Sequence, residues 1–157
     1  MAQLLLRPSA GSTFSVIGSL PATTDKAGYD ALTPIKVGGM DNIGEIGPTV
    51  EIGNFRPLDA GEQFYRHVRT APSFDSSPAD LPDDAGQAII KTAFEAPRGT
   101  AQERISVKVE DEAGYGIYFT ALVGKFSRQY GGAEDLQLRN MMFQPDPDSF
   151  VEFEPGV

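Results

Sequence analysis

The side chains that could do chemistry in this chain are few and poorly grouped. His67 is the single histidine, set between Arg66 and Arg69, and the chain has no cysteine. A lone imidazole without a second His or Cys lacks the partners of a zinc site or an activated nucleophile, so His67 reads as a surface or interface residue. Two carboxylate clusters, Glu110-Asp111-Glu112 and Asp146-Pro147-Asp148, are of the type that binds calcium or forms an acid/base pair. Both fall at expected turns, where clustered acids are ordinarily solvated. Neither a Gly-x-Ser-x-Gly nor a phosphate-loop signature occurs, and Gly38, Gly39, Gly44, Gly47 and Gly53 do not match the dinucleotide fingerprint. Those glycines read as turns or bulges.

Composition narrows the classes further. With 157 residues and 40% hydrophobic content, the chain suits one globular domain spanning 1–157. The only early apolar run is Leu4-Leu5-Leu6, too short for a secretory core, and nothing approaches the roughly 20 residues of a membrane helix. A chain made and used in solution, away from membranes, is the expectation. Without cysteine, stability has to come from packing or from partner subunits. The net charge of -9 is uneven: residues 80–157 hold fourteen acids against seven bases, whereas 53–79 hold three of each. Such an acidic balance opposes ordinary nucleic-acid binding.

Proline and glycine recur every eight to twelve residues, which predicts a mainly β fold of short strands. Candidate strands cover 14–18, 35–40, 50–55, 63–69, 104–110, 116–127, 135–144 and 150–153. The clearest is 104–110, where Ile105, Val107 and Val109 alternate with Arg104, Ser106, Lys108 and Glu110. The strand at 116–127 is apolar on both faces, with Ile117, Phe119, Ala121 and Val123 on one and Tyr118, Leu122 and Phe126 on the other. Two-sided burial means a sandwich interior or a face covered by another subunit. One helix is expected over 80–96, with Asp80 as N-cap and a stripe of Leu81, Ala85, Ala88, Ile89, Thr92, Ala93 and Ala96 turned inward. Asp83, Asp84, Gln87, Lys91 and Glu95 would take the wet face. Segment 53–79 combines breakers with Phe55, Phe64, Tyr65 and Phe74, too sticky for a linker in water. It reads as a mobile arm that orders against another subunit, the competing reading being a hairpin folded on its own domain.

The order of several elements carries a family resemblance. Gly28-Tyr29-x-Ala31-Leu32-Thr33 is followed by Val37-Gly38-Gly39, then Ile43-Gly44-Glu45-Ile46-Gly47-Pro48, then Phe55-x-Pro57-Leu58. A central helix and Phe119-x-Ala121-x-Val123-x-x-Phe126 ahead of Gly131-Gly132 complete the series. In this order the chain resembles the major tail tube proteins of long-tailed, non-contractile bacteriophages. The resemblance implies a tail-tube-type β-sandwich or half-barrel with one flanking helix and a long arm. It also implies fold kinship with the tube proteins of contractile phages and type VI secretion, and no C-terminal immunoglobulin-like domain. No enzyme activity, cofactor or metal is implied.

Six copies would close into a ring, rings would stack into a hollow tube passing DNA without binding it, and tape-measure, tail-tip and terminator proteins would be partners. The product would be a virion tail assembled in the host cytoplasm. On this reading Phe55, Arg56, Phe64, Tyr65, Arg66, Arg69 and Phe74 form an inter-subunit arm. Tyr118, Leu122 and Phe126 form a sheet interface, and Glu110, Asp111, Glu112, Glu134 and Asp135 are candidate bore acids. Two other classes compete: a small acidic β-sandwich module binding carbohydrate or another ligand, and a glycosidase built on paired carboxylates.

Overall fold

The computed structural model describes residues 6–156. The alternation at 104–110 is realised without a shift as strand β6 (Arg104–Glu110), with Ile105 and Val107 fully buried. Around it run β1 (Thr13–Ile17), α1 (Lys26–Asp30), β2 (Ile35–Lys36), β3 (Thr49–Phe55), β4 (Gln63–Thr70) and β5 (Phe74–Ser76). Helix α2 (Ala85–Glu95), β6, β7 (Gly116–Gln129), β8 (Leu138–Pro145) and β9 (Val151–Phe153) follow. Seven strands make one antiparallel sheet in the order β2-β1-β6-β7-β8-β5, with β9 beside β7, while β3 and β4 pair only with each other. The fold is mainly β, as the turn spacing predicts.

The sheet is strongly curled. Strands β1 and β8 are separated by β6 and β7, a path of about 14 Å at ordinary strand spacing. Yet the ring of Phe14 on β1 lies 5.6 Å from that of Phe143 on β8, and 6.3 Å from Phe74 on β5. Phe74 also meets Phe119 at 5.9 Å. Only a sheet rolled toward its concave side brings those rings together, which gives the half-barrel form. Val16, Val107 and Phe119, aligned across β1, β6 and β7, floor the same core.

Helix α2 lies on this core, but shorter and rotated relative to the expectation. It starts at Ala85, capped by Asp84, whose carboxylate accepts from the Gln87 N–H at 2.9 Å and the Gly38 N–H at 3.1 Å. Leu81 to Asp84 form a turn ahead of it, so Asp80 is not the cap. Its inward residues are Gly86, Gln87, Ile90 and Ala93, whereas Ala85, Ala88 and Thr92 are exposed. Gly86 is inward because the helix meets β2 there: a Cβ would stand 2.7 Å from the Lys36 carbonyl oxygen. Gln87 is a buried tie, donating to the carbonyls of Ala79 (2.8 Å) and Gly38 (3.2 Å) and accepting from the Leu81 N–H. Ala96, with ψ 150°, ends the helix ahead of Pro97.

The convex face also has a cover. Helix α1, begun by the Asp25 carboxylate on the Gly28 N–H, stacks Tyr29 on Tyr118 at 5.0 Å and 6°. The Tyr29 hydroxyl donates to the Ser149 carbonyl and that of Tyr118 to Asp30. Burial raises the Tyr29 phenol to about 12 and, with the Asp30 hydrogen bond second, raises Tyr118 further. The two-sided apolar character of β7 is therefore satisfied inside the chain at Tyr118.

Two outcomes test this packing. Gln87→Ala removes the partner of two partly buried carbonyls and one N–H, costing roughly 1–2 kcal/mol and lowering the thermal midpoint by a few degrees; an unchanged midpoint would show the tie is dispensable. Since the folded Tyr29 pKa of about 12 exceeds the ordinary value of 10, its stabilisation is complete below pH 10 and fades between the two. Tyr29→Phe should flatten that alkaline loss in pH-dependent denaturant melts.

Candidate assembly surface

The feature least explained by the fold is the β3–β4 hairpin. Every residue of β4 is exposed, and Ile52, Phe55, Phe64, Tyr65 and Val68 are each more than half exposed. A lone two-stranded ribbon is marginal in water, so one that displays this much apolar surface calls for a cover. Cross-strand pairs put Val50 opposite Arg69, Ile52 opposite Arg66 and Asn54 opposite Phe64, with a bulge on β4 between the first two pairs. The other face carries Phe55, Tyr65 and His67, whose rings lie 5.2 Å apart across Gly53. A Cβ at Gly53 would fall 2.6 Å from both rings, so a larger residue there would push them off the backbone they now cover. His67, the single histidine, thus packs on Tyr65.

The expected arm residues part company here. Phe55, Phe64, Tyr65, Arg66 and Arg69 sit on the hairpin and Arg56 follows it, but Phe74 belongs to β5 and is 7% exposed in the aromatic core. Segment 53–79 is consequently half ribbon and half core strand. Phe74 escaped the sequence reading because β5 is three residues long and its flanks, Ala71-Pro72 and Ser77-Pro78, read as loop.

The sheet-interface residues also divide. Tyr118 is buried beneath Tyr29, as described. Phe126 points to the concave core, because two residues of β7 oppose one of β8 between Val123 and Lys125, and the extra residue reverses the alternation. Arg139 lies over its ring at 4.3 Å and, with Arg128, reaches the buried Asp80 carboxylate. Leu122 alone remains half-buried outside the core cluster. It is also the last β7 residue laddered to β6; beyond it, residues 123–129 bond β8 on one side and no described strand on the other. That open edge is a place where another strand can pair.

Most of the candidate bore acids have local tasks. Glu110 pairs with Lys108 at 2.9 Å; Asp111 accepts from the Tyr115 N–H and pairs with Arg7; Asp135 accepts from the Gly132 N–H. Glu112 and Glu134 are exposed. The first three acids close the β6–β7 turn and the last two the β7–β8 turn, at opposite ends of a strand reaching up to about 43 Å. Asp146, proposed for a carboxylate pair, instead holds Arg104 and accepts from the Thr120 hydroxyl.

No cluster of three metal-ligating side chains occurs among the described residues. A cleft of about 570 Å³ beneath residues 40–46 is lined by Ser9, Ser12, Asp41, Asn42, Val109 and Ile117 among others, with one carboxylate and no histidine.

No protein-family model and no curated protein matches this sequence. Solved structures do match in shape. A chain of the anti-feeding prophage (AFP) baseplate aligns over 100% of both chains at TM-score 0.66 and 9% identity. A chain of the sheath/tube terminator of PVC, an extracellular contractile injection system in its extended state, aligns over 97% of this chain and 99% of that one, at TM-score 0.68 and 9% identity. The tube-terminating cap of AFP gives 0.60 and 13% identity over 98% and 95%. The fold is tail-tube-like. These neighbours belong to AFP and a contractile injection system, so the narrower likeness to non-contractile phage tails rests on the sequence alone.

Exposure of the hairpin has a proteolytic signature. In unassembled protein, trypsin should cut after Arg56, Arg66 or Arg69 at least tenfold faster than after Arg104 or Lys108, which lie in the central sheet. Equal resistance of all five sites, followed by mass spectrometry, would show that the hairpin is no more open than the core.

Proposed function

We propose that this chain is a non-enzymatic structural subunit of a phage-tail-like tube. Six copies close into a ring, rings stack into a hollow conduit for DNA, and the particle is a tail assembled in the host cytoplasm. The observation that carries this reading is the β3–β4 hairpin, an apolar ribbon held off the body of a tail-tube-like fold. The open edge of β7 supports it, since a neighbouring strand paired there would extend the sheet from subunit to subunit. The structural neighbours come from a baseplate, a sheath/tube terminator and a tube-terminating cap, so the reading includes a ring at either end of a tube as well as its repeating unit. Tape-measure, tail-tip and terminator proteins are the partners it implies. Assignment to the non-contractile, long-tailed class rests on the sequence resemblance.

On this reading the arm is the ribbon at 49–70, supported by its exposed apolar residues, and Leu122, beside the open edge, is the interface residue of the sheet. Glu112 and Glu134 are the acids left for a bore of like sign to DNA, which would pass without being gripped.

Negative-stain images of the concentrated protein test the reading: rings or tubes are expected, and persistent monomers would overturn it. Leu122→Asp should leave the thermal midpoint within a few degrees, because Leu122 stands outside the core cluster, and should abolish rings. Normal rings from that variant would remove the open edge from the interface.

A further inference from the structure

Of the eight arginines, four hold a carboxylate and four, Arg56, Arg66, Arg69 and Arg98, hold none among the described residues. Arg7, Arg104, Arg128 and Arg139 each hold a carboxylate of their own fold, on Asp111, Asp146, Asp80 and Asp80 respectively. Arg66 and Arg69 stand on one face of the hairpin and, among the described residues, hold none. They are interleaved there with Val50, Ile52 and Phe64; of the hairpin's carboxylates, Glu51 alternates to the opposite face, Asp59 lies in the connection, and Glu62 accepts from the Asn54 amide at 2.6 Å. Strand β4 itself contains no acid. An exposed face that mixes arginine with aliphatic and aromatic residues has the composition of a buried protein interface, in which arginine is enriched and carboxylates are scarce.

We infer that this arginine face docks on the acidic surface of residues 80–157 of a second copy, and that the contact is what makes self-association salt-dependent. The inference rests on the assembly reading above and adds its occupant and its electrostatics. The occupant follows from charge. Residues 80–157 hold fourteen acids and seven bases, so carboxylates remain there after every local ion pair is made. Exposed acids such as Asp83, Glu95 and Asp148 lie among them. The hairpin pairs with no strand of its own body, and these arginines make no ion pair there among the described residues, whereas a neighbouring copy presents the same surplus. Duplex DNA is the other polyanion a β-ribbon with arginines fits. It is disfavoured because the remainder of a chain of net charge -9 would repel it at the same distance.

The experiment uses full-length protein. Sedimentation of the wild type between 50 and 500 mM NaCl, a range chosen to take the Debye length from ~14 to ~4 Å, should show association weakening at least tenfold. Arg66→Glu with Arg69→Glu, exposed positions whose exchange leaves the core intact, should lower association at 50 mM NaCl at least tenfold and flatten the salt dependence. Arg66→Lys with Arg69→Lys supplies amines for zero-length carbodiimide coupling. In a mixture of isotopically heavy and light chains, the new cross-links should be intermolecular and end in residues 80–157.

Unaltered assembly and salt response of the Glu double variant, or cross-links that end elsewhere, would overturn the inference while leaving self-assembly standing. Salt-sensitive binding of a duplex DNA fragment that the Glu variant loses without any change in association would overturn it in favour of nucleic acid. A wild type that stays monomeric at every salt concentration would overturn both the inference and the reading on which it rests.

Discussion

Everything in this fold depends on how a single small helix can close the core of a seven-stranded sheet. Eleven residues of α2 span ~16 Å, while the strands from β2 to β5 spread over about 24 Å at ordinary spacing. The helix cannot cover a flat sheet of that width. The sheet covers itself instead, rolling until Phe14 of β1 meets Phe143 and Phe74 from the far side. Phe74 lies in that cluster, so the chain after β4 returns to the sheet edge, and β3 and β4 pair only with each other as a separate ribbon. The projecting hairpin is thus a consequence of closing the core with aromatics in place of a second layer.

The parts of this arrangement that could be read in the sequence are those where one physical rule acted alone. Strand β6 alternates because one face is dry and the other meets water, and its ends are those the alternation predicts. The helix was legible in place but not in orientation. Its most inward residues include a glutamine and a glycine, types that hydrophobic periodicity assigns to the outside. They face inward because backbone groups at Gly38, Ala79 and Leu81 needed partners and because β2 approaches within contact of Gly86. Phe126 was assigned to the wrong face for a related reason. A bulge carries no apolar signature, and one extra residue between Val123 and Lys125 inverts every assignment downstream of it. Helix α1, five residues long and polar on average, has no periodicity to detect, although it accounts for the burial of Tyr118.

For the assembly surface, the same logic separates what composition reveals from what it hides. The stickiness of Phe55, Phe64 and Tyr65 among breakers was legible because no intramolecular rule explained it. Phe74 looked identical in sequence, and only the closure of the core distinguishes it. Carboxylates behaved likewise: Asp80 reads as a helix cap and Asp111 as a solvated turn acid, but each neutralises arginine that packing has brought to it.

On the proposed reading, a chain folded this way has little freedom in how it meets a second copy. Its sheet edges differ: β2 offers two residues, β5 three, and the open run of β7 is the longest. Backbone pairing between copies has its longest opening in the main sheet there, besides the free outer edges of β3 and β4, and pairing at a strand edge fixes direction because it admits only defined registers. The hairpin departs from a different part of the fold, between the 40–47 loop and β5, so an arm contact and an edge contact engage separate surfaces of a copy. Two independent heterologous contacts per subunit are the minimum for an assembly that closes around an axis and also grows along it. A fold with a convex face covered at Tyr118, one long open edge and one displaced ribbon offers the two separate surfaces that such a geometry requires.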